Sequence, residues 1–219
     1  MFVDESGDKT GRARYYLLTL VFHNQADDIR GGISRYETVL LDADLPNLPF
    51  HSEPLLNGHK AYSSLSIEQR KKMLVCFASL VRHLPIQYDC FVYKSSEFAD
   101  EELLRCRMER DIARAIRDRL DLFQSFDDVK AYYDNGQQIV KEAIYAATES
   151  ELSSNVVIRR KTTMTEYRLS QVADYFCTIE LAALKYEANE AGETYNKFFG
   201  GVGAFKRNWL KQARRKRLL

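Results

Sequence analysis

Apolar residues occur in short blocks near the start of the chain. The first block is Met1 to Val3, at the start of MFVDESGD, and YYLLTLVF (Tyr15 to Phe22) follows after a turn with two glycines. Aromatic and β-branched residues favour strands, so these blocks predict two strands joined as a hairpin. The same pattern predicts three further strands, at YDCFVYK (88–94), DVKAYYDNG (128–136) and NVVIRRK (155–161).

Other segments place apolar residues three or four positions apart, which is the spacing of a helix. Ser66 is a suitable N-cap for a helix that runs to Leu84, where Pro85 follows. The final segment of this kind is apolar on nearly every side, which predicts a buried helix. The predicted helices cover residues 26–43, 66–84, 100–120, 137–148 and 167–188.

The order of these elements predicts an α/β fold. Three strands joined without crossover helices are most simply antiparallel, whereas the later strand–helix–strand steps require right-handed parallel crossovers. We therefore expect a mixed five-stranded sheet with helices on both faces and a helical insertion at residues 26–84, after the second strand. We expect one domain over residues 1–203 and a basic C-terminal tail over 204–219.

Composition points to an ordered globular protein. Of the 219 residues, 45% are hydrophobic, and the chain has 13 Tyr and 12 Phe. No apolar run is long enough to cross a membrane, and Asp4 and Glu5 interrupt any signal peptide, so we expect a cytoplasmic protein. The four cysteines are widely separated and predict reduced core thiols.

Charge is distributed unevenly. Seven basic residues and no acids lie in the C-terminal tail, which leaves the rest of the chain at −6 although the whole chain is at +1. Such a tail suits contact with nucleic-acid phosphates, and a solvated, frayed terminus fits the composition equally well. The seven residues are Lys206, Arg207, Lys211, Arg214, Arg215, Lys216 and Arg217.

Three acidic residues fall where a functional site is expected. Asp4 and Asp134 lie near the ends of the first and fourth predicted strands, and ligands of α/β sheets collect at the carboxyl ends of parallel strands. Gln171 and Asp174 share a face of the apolar last helix, where a charge requires a partner. Mg²⁺ or Mn²⁺ bound by the three aspartates would be that partner, and such ions support phosphodiester hydrolysis.

Each acid also has a structural interpretation. Asp4 suits the turn at Gly7, Asp134 is an ordinary first residue of an Asp-Asn-Gly turn, and Asp174 suits an ion pair with Lys185 or a neighbouring arginine. The joint occurrence of the three acids on two strands and the last helix favours a shared site. Only three residues precede Asp4, so we also expect the true start of the chain to lie upstream of Met1.

Three motifs together resemble the family called domain of unknown function 3800, whose members look like ribonuclease-H-fold proteins. They are VDESGD before an apolar strand, YYDNG, and LSQVADYF, and the resemblance covers about residues 1–188. It implies a ribonuclease-H-like fold and a metal-dependent nuclease centre at Asp4, Asp134 and Asp174, with Glu5 beside it.

The resemblance extends to FHSEPLLNGH, where His51 and Glu53 match a His-containing segment of the family, although Pro49 stands where an acidic residue is expected. A histidine there suits proton transfer to a leaving group. A fourth carboxylate is expected from the helix after the third strand. The residues that qualify are Glu101, Glu102, Glu109 and Asp111.

Three functions follow from these observations. The first is a Mg²⁺- or Mn²⁺-dependent nuclease acting on DNA or RNA. The second is a non-catalytic module that binds nucleic acid or a partner protein in a phage-defence or mobile-element system, and the third is hydrolysis of a small phosphorylated molecule. For nucleic acid, we expect phosphate contacts from Lys161, Lys206, Arg207, Lys211, Arg214 and Arg215.

Overall fold

A mixed β-sheet forms the centre of the structure, a computed structural model that describes residues 1–7, 13–133, 136–152, 157–161 (backbone only) and 167–218. The order of its strands is β3-β2-β1-β4-β5. The first three strands are antiparallel neighbours, and β4 runs parallel to both β1 and β5. The predicted α/β class with a mixed sheet is confirmed. The strands are β1 (Phe2–Ser6), β2 (Tyr15–His23), β3 (Ile86–Lys94), β4 (Val129–Tyr133) and β5 (Val157–Lys161).

The helices agree closely with the apolar spacing. Ser66 is the N-cap of α3 as predicted: its hydroxyl accepts the Gln69 N–H at 3.2 Å, and the Gln69 amide oxygen accepts the Ser66 N–H at 2.9 Å. The helices are α1 (Arg30–Asp42), α2 (Ser52–Asn57), α3 (Ile67–His83), α4 (Glu101–Arg117), α5 (Leu120–Gln124), α6 (Gln138–Glu151), α7 (Arg168–Glu187), α8 (Glu193–Phe199), α9 (Val202–Phe205) and α10 (Lys211–Arg214).

Two hydrophobic cores lie on the two faces of the sheet. On one face, Phe2 and Leu17 belong to the core that includes α3 and α7. On the other, Val3 and Leu18 belong to the core that includes α4 and α6. Because side chains alternate along a strand, neighbouring residues of β1 and β2 contribute to opposite cores.

The C-terminal segment is folded onto the domain. A π-helical turn (Lys206–Leu210) joins α9 to α10, and residues beyond α10 reach the edge strand β3. There the Tyr88 N–H donates to the Lys216 carbonyl at 2.9 Å, and the Leu218 N–H donates to the Tyr88 carbonyl at 2.8 Å. The alternative of a frayed terminus is therefore wrong.

Candidate functional site

Strand β1 carries the first two candidate acids to different sides of the sheet. Asp4 lies opposite Thr19 of β2 in the antiparallel register. Alternation along the strand puts Asp4 on the α7 face with Phe2, and Glu5 on the α4 and α6 face with Val3. Both acids are partly buried.

Helix α7 buries Asp174, whose exposed fraction is only 7%. Its Oδ2 accepts the Ser52 N–H at 2.6 Å, and the Gln171 Oε1 accepts the Phe50 N–H at 3.0 Å. The shared face of Gln171 and Asp174, predicted from their spacing, therefore holds the backbone that leads into α2. The sequence contained no signal for this contact, because a backbone N–H is present at almost every position.

The predicted structural alternative for Asp174 was an ion pair with Lys185, and it is wrong. Lys185 instead lies over the ring of Tyr195 and donates to its hydroxyl at 3.3 Å. Within the described ranges, neither lysine nor arginine forms a salt bridge with Asp174. A buried carboxylate that forms no salt bridge with a lysine or arginine has the character expected of a cation ligand.

Electrostatics at Asp174 agree with its burial. Loss of hydration raises the pKa of this carboxyl above its usual range, while the nearby His51 imidazole and the Ser52 N–H oppose that rise. The neighbouring Glu53 raises the pKa further. His51 is thus close enough to Asp174 to favour its charged form, which brings two predicted site residues together.

The charges of both Asp174 and Asp4 affect the pKa of the Cys177 thiol. This thiol lies one helical turn after Asp174 on α7 and is 1% exposed. Burial raises its pKa well above the usual value, and both Asp4 and Asp174 raise it further by their negative charge. Asp4 also lies on the face of β1 that packs against α7, so both acids and this thiol are on the same side of the sheet.

Glu5 belongs to a separate polar cluster on the opposite face. Its charge contributes, after burial, to a raised pKa of the Tyr133 hydroxyl. The pKa of the nearby Tyr16 is also raised, by burial first and then by the charge of Glu5. The structure therefore separates Glu5 from Asp174, although it is next to Asp4 in the sequence.

Three of the four candidate acids of α4 form ion pairs within their own helix. Glu102 and Glu109 both contact Arg105, at 2.7 and 2.8 Å, and Asp111 contacts Arg107 at 2.7 Å. This helix packs in the core on the Glu5 side of the sheet. None of these three acids therefore faces Asp4 as a fourth ligand.

Two candidates fall beyond what the structure describes. Asp134 lies outside the described residues, as does the side chain of Lys161, whose backbone pairs with Tyr133 in the parallel β4–β5 register. Among the residues that are described, no group of three or more His, Cys, Asp or Glu is arranged to hold a metal ion. The predicted three-aspartate site therefore stays a prediction.

The basic residues of the C-terminal segment divide into two groups. Arg214 pairs with a buried acid: its Nη2 lies 2.8 Å from Oε2 of Glu180, a residue of α7 that is 3% exposed. Arg217 lies 3.7 Å from the same carboxylate. The group that is exposed and forms no salt bridge among the described residues consists of Lys206, Arg207, Lys211 and Arg215.

Comparison of the chain with family models, with curated proteins and with solved structures finds no match in any of the three. Within the described part of the chain, none of the helices is both long enough and apolar enough to span a membrane.

Proposed function

We propose that this protein is a Mg²⁺- or Mn²⁺-dependent nuclease that hydrolyses phosphodiester bonds of DNA or RNA, with Asp4, Asp134 and Asp174 as metal ligands. One observation carries the proposal: Asp4 lies on the face of the first strand that packs against the last long helix, α7, and that helix buries Asp174. Hard divalent cations prefer carboxylate oxygens, so this pair suits them.

The third ligand is inferred from the neighbouring strand. β1 and β4 are parallel neighbours, with Phe2 opposite Tyr132, so their carboxyl ends reach the same edge of the sheet. Asp134 is the next residue in the chain after Tyr133, the last residue of β4. The antiparallel first three strands and the parallel later ones also support the ribonuclease-H-like fold that the sequence resemblance implies.

When bound, such ions activate a water molecule and stabilise the leaving oxygen. The fold of the protein positions the acids and His51. His51 lies beside Asp174 at the start of α2. A histidine at this place is suited to protonate the leaving oxygen. The contacts of Gln171 and Asp174 with residues 50–52 keep the segment that carries His51 against α7.

Titration with Mn²⁺ by calorimetry tests the metal site directly. Asp4→Asn and Asp174→Asn remove a charged oxygen while preserving side-chain size, and Asp42→Asn is the matched control because Asp42 is an exposed acid at the end of α1. We expect binding to the wild type and to the control, and loss of binding in both site variants that circular dichroism shows to be folded.

A second Mn²⁺ titration, in the presence of a non-cleavable oligonucleotide, also detects a metal site that is complete only when a substrate phosphate is bound. Unchanged Mn²⁺ binding in both site variants, or cleavage that survives Asp4→Asn, would overturn the proposal. Cleavage lost in Asp4→Asn and retained in Asp42→Asn would support it.

A second function is favoured by the contact of Asp174 with Ser52. That contact gives the buried carboxylate a structural role as a cap of α2, which a non-catalytic nucleic-acid-binding or partner-binding module also requires. Salt-sensitive binding of oligonucleotides that survives Asp174→Ala, without cleavage of any of them, would favour this module over the nuclease.

A further inference from the structure

A cavity of about 270 Å³ lies between α3, α7 and the C-terminal helical segment. Tyr175 and Phe176 are buried in its wall, so Trp209, which is partly exposed, is the aromatic side chain accessible to a ligand, and two amides and a guanidinium also line the cavity. None of the described residues that line it is an Asp or a Glu. The side chains that matter here are Arg82, Tyr175, Phe176, Asn208, Trp209 and Gln212.

A row of basic residues borders this cavity. Arg207, Lys211 and Arg215 are each four positions apart along the helical segment and are exposed. Among the described residues none of the three forms a salt bridge, in contrast to Arg214. We call these three residues the basic row.

Hydrogen bonds connect the basic row to the cavity. Arg215 donates to the Gln212 amide oxygen at 3.0 Å, and Arg207 donates to the Asn208 amide oxygen at 3.4 Å. The two amides that line the cavity therefore lie directly beside the cations of the row.

We propose that this surface binds single-stranded nucleic acid, with phosphates on the basic row and one base in the cavity. Proteins that bind single strands combine cations along the backbone with aromatic side chains under the bases. The cavity is slightly smaller than the usual range for small-molecule pockets, which starts at about 300 Å³, so it suits one ring system. The amides of Asn208 and Gln212 offer both donors and acceptors to a base edge.

The absence of acids from the lining favours a polyanion over a basic or neutral ligand. This inference deepens the proposed nuclease function by naming single strands as the substrate class. It rests on that function only for the link to cleavage, because binding at this surface requires no metal and none of the three aspartates.

Trp209 provides a direct probe, since it is the one tryptophan of the chain and lines the cavity. In EDTA, titration with an oligothymidylate of about 12 nucleotides should change the tryptophan fluorescence. The logarithm of the binding constant should fall linearly with the logarithm of salt concentration. Lys211→Gln/Arg215→Gln should lower that slope by about 1.4, because each phosphate contact on a single strand contributes about 0.7.

Two further variants separate the parts of the surface. Arg35→Gln/Arg110→Gln removes two exposed arginines from α1 and α4 and should leave both affinity and slope unchanged. Gln212→Ala should weaken binding about five-fold without a change in slope, because it removes a contact to a base rather than to a phosphate.

Three results would overturn the inference. They are binding by anisotropy of a labelled strand without a change in Trp209 fluorescence, an unchanged slope in Lys211→Gln/Arg215→Gln, and equally strong binding of an oligoglutamate or of duplex DNA. Because EDTA excludes metal, a negative result here leaves the Mn²⁺ titration unaffected. Equally, loss of the metal site would leave this binding intact.

Discussion

Replacement of Arg214 by glutamine tests whether the C-terminal segment is held by a buried charge. Glu180 is 3% exposed and accepts the Tyr88 hydroxyl at 2.7 Å and two N–H groups of Arg214, at 3.2 and 2.8 Å. Arg214→Gln removes the strongest positive partner of this carboxylate. The expected result is a destabilised domain.

The magnitude follows from the geometry. Loss of one partner of a fully buried ion pair costs about 3–5 kcal/mol. Here the Arg214 side chain is 42% exposed, and Arg217 and Tyr88 remain beside Glu180. We therefore expect a loss of about 2 kcal/mol in the free energy of unfolding, which corresponds to about 4–8 °C in Tm for a chain of this size.

The effect should depend on pH. Burial raises the pKa of Glu180, but the hydrogen bonds from Arg214 and Tyr88 outweigh it, so the pKa in the folded protein lies below the usual 4.5. A lowered folded pKa stabilises the protein above the pKa of the unfolded chain, and this stabilisation is lost as the pH falls through the folded value. The difference between wild type and Arg214→Gln should therefore be largest near neutral pH and shrink below about pH 4.5.

Urea unfolding followed by circular dichroism measures this loss at each pH. Arg215→Gln is the matched control: the same substitution on the adjacent, exposed residue should change stability by no more than about 0.5 kcal/mol. Equal stability of the two variants, or a difference that does not change with pH, would refute the role of the Glu180 charge.

Two other predictions concern stability at single positions. Since burial raises the folded pKa of Asp174, stability falls as the pH rises through the window between its unfolded and folded values. Asp174→Asn should therefore raise Tm near neutral pH and match the wild type in acid; a lower Tm at neutral pH would contradict this. Gly7 has φ +112°, and a Cβ there would lie 2.5 Å from the Tyr15 carbonyl oxygen, so Gly7→Ala should destabilise by about 2 kcal/mol in urea unfolding. Gly203→Ala, in α9 with open space around it, should stabilise by about 0.5–1 kcal/mol, and similar effects at the two glycines would refute the steric argument.

Local patterns account for most of the agreement between sequence and structure. The capping box at Ser66 and the strand from Tyr15 depend on neighbouring residues, so the sequence alone predicts them. The helix predicted from residue 26 begins only at Arg30. Its first residues form a turn instead, because the Ala26 N–H donates to the Asn24 side chain and the Asp27 N–H to the Asn24 carbonyl.

The candidate site was predicted less completely. Spacing on α7 put Gln171 and Asp174 on one face, which the structure confirms, but their contacts at residues 50–52 come from a distant segment. The sequence analysis also placed Glu5 beside the site, whereas Glu5 and its neighbour Asp4 face opposite sides of the sheet. Which acids of α4 are available also depended on the arginines that pair with them along that helix.

By itself, the sequence determined the α/β class, most helices and strands, and a C-terminal segment with seven basic residues and no acids. Only the tertiary structure decided which of those bases pair with a buried acid, because that choice depends on where α7 buries Glu180. It likewise decided that Asp4 and Asp174 lie on the same side of the sheet, since residues so far apart in the chain come together only through the packing of α7 on β1. Periodicity reports which face of an element is apolar, whereas the partner of a buried charge is set by the elements that pack against it.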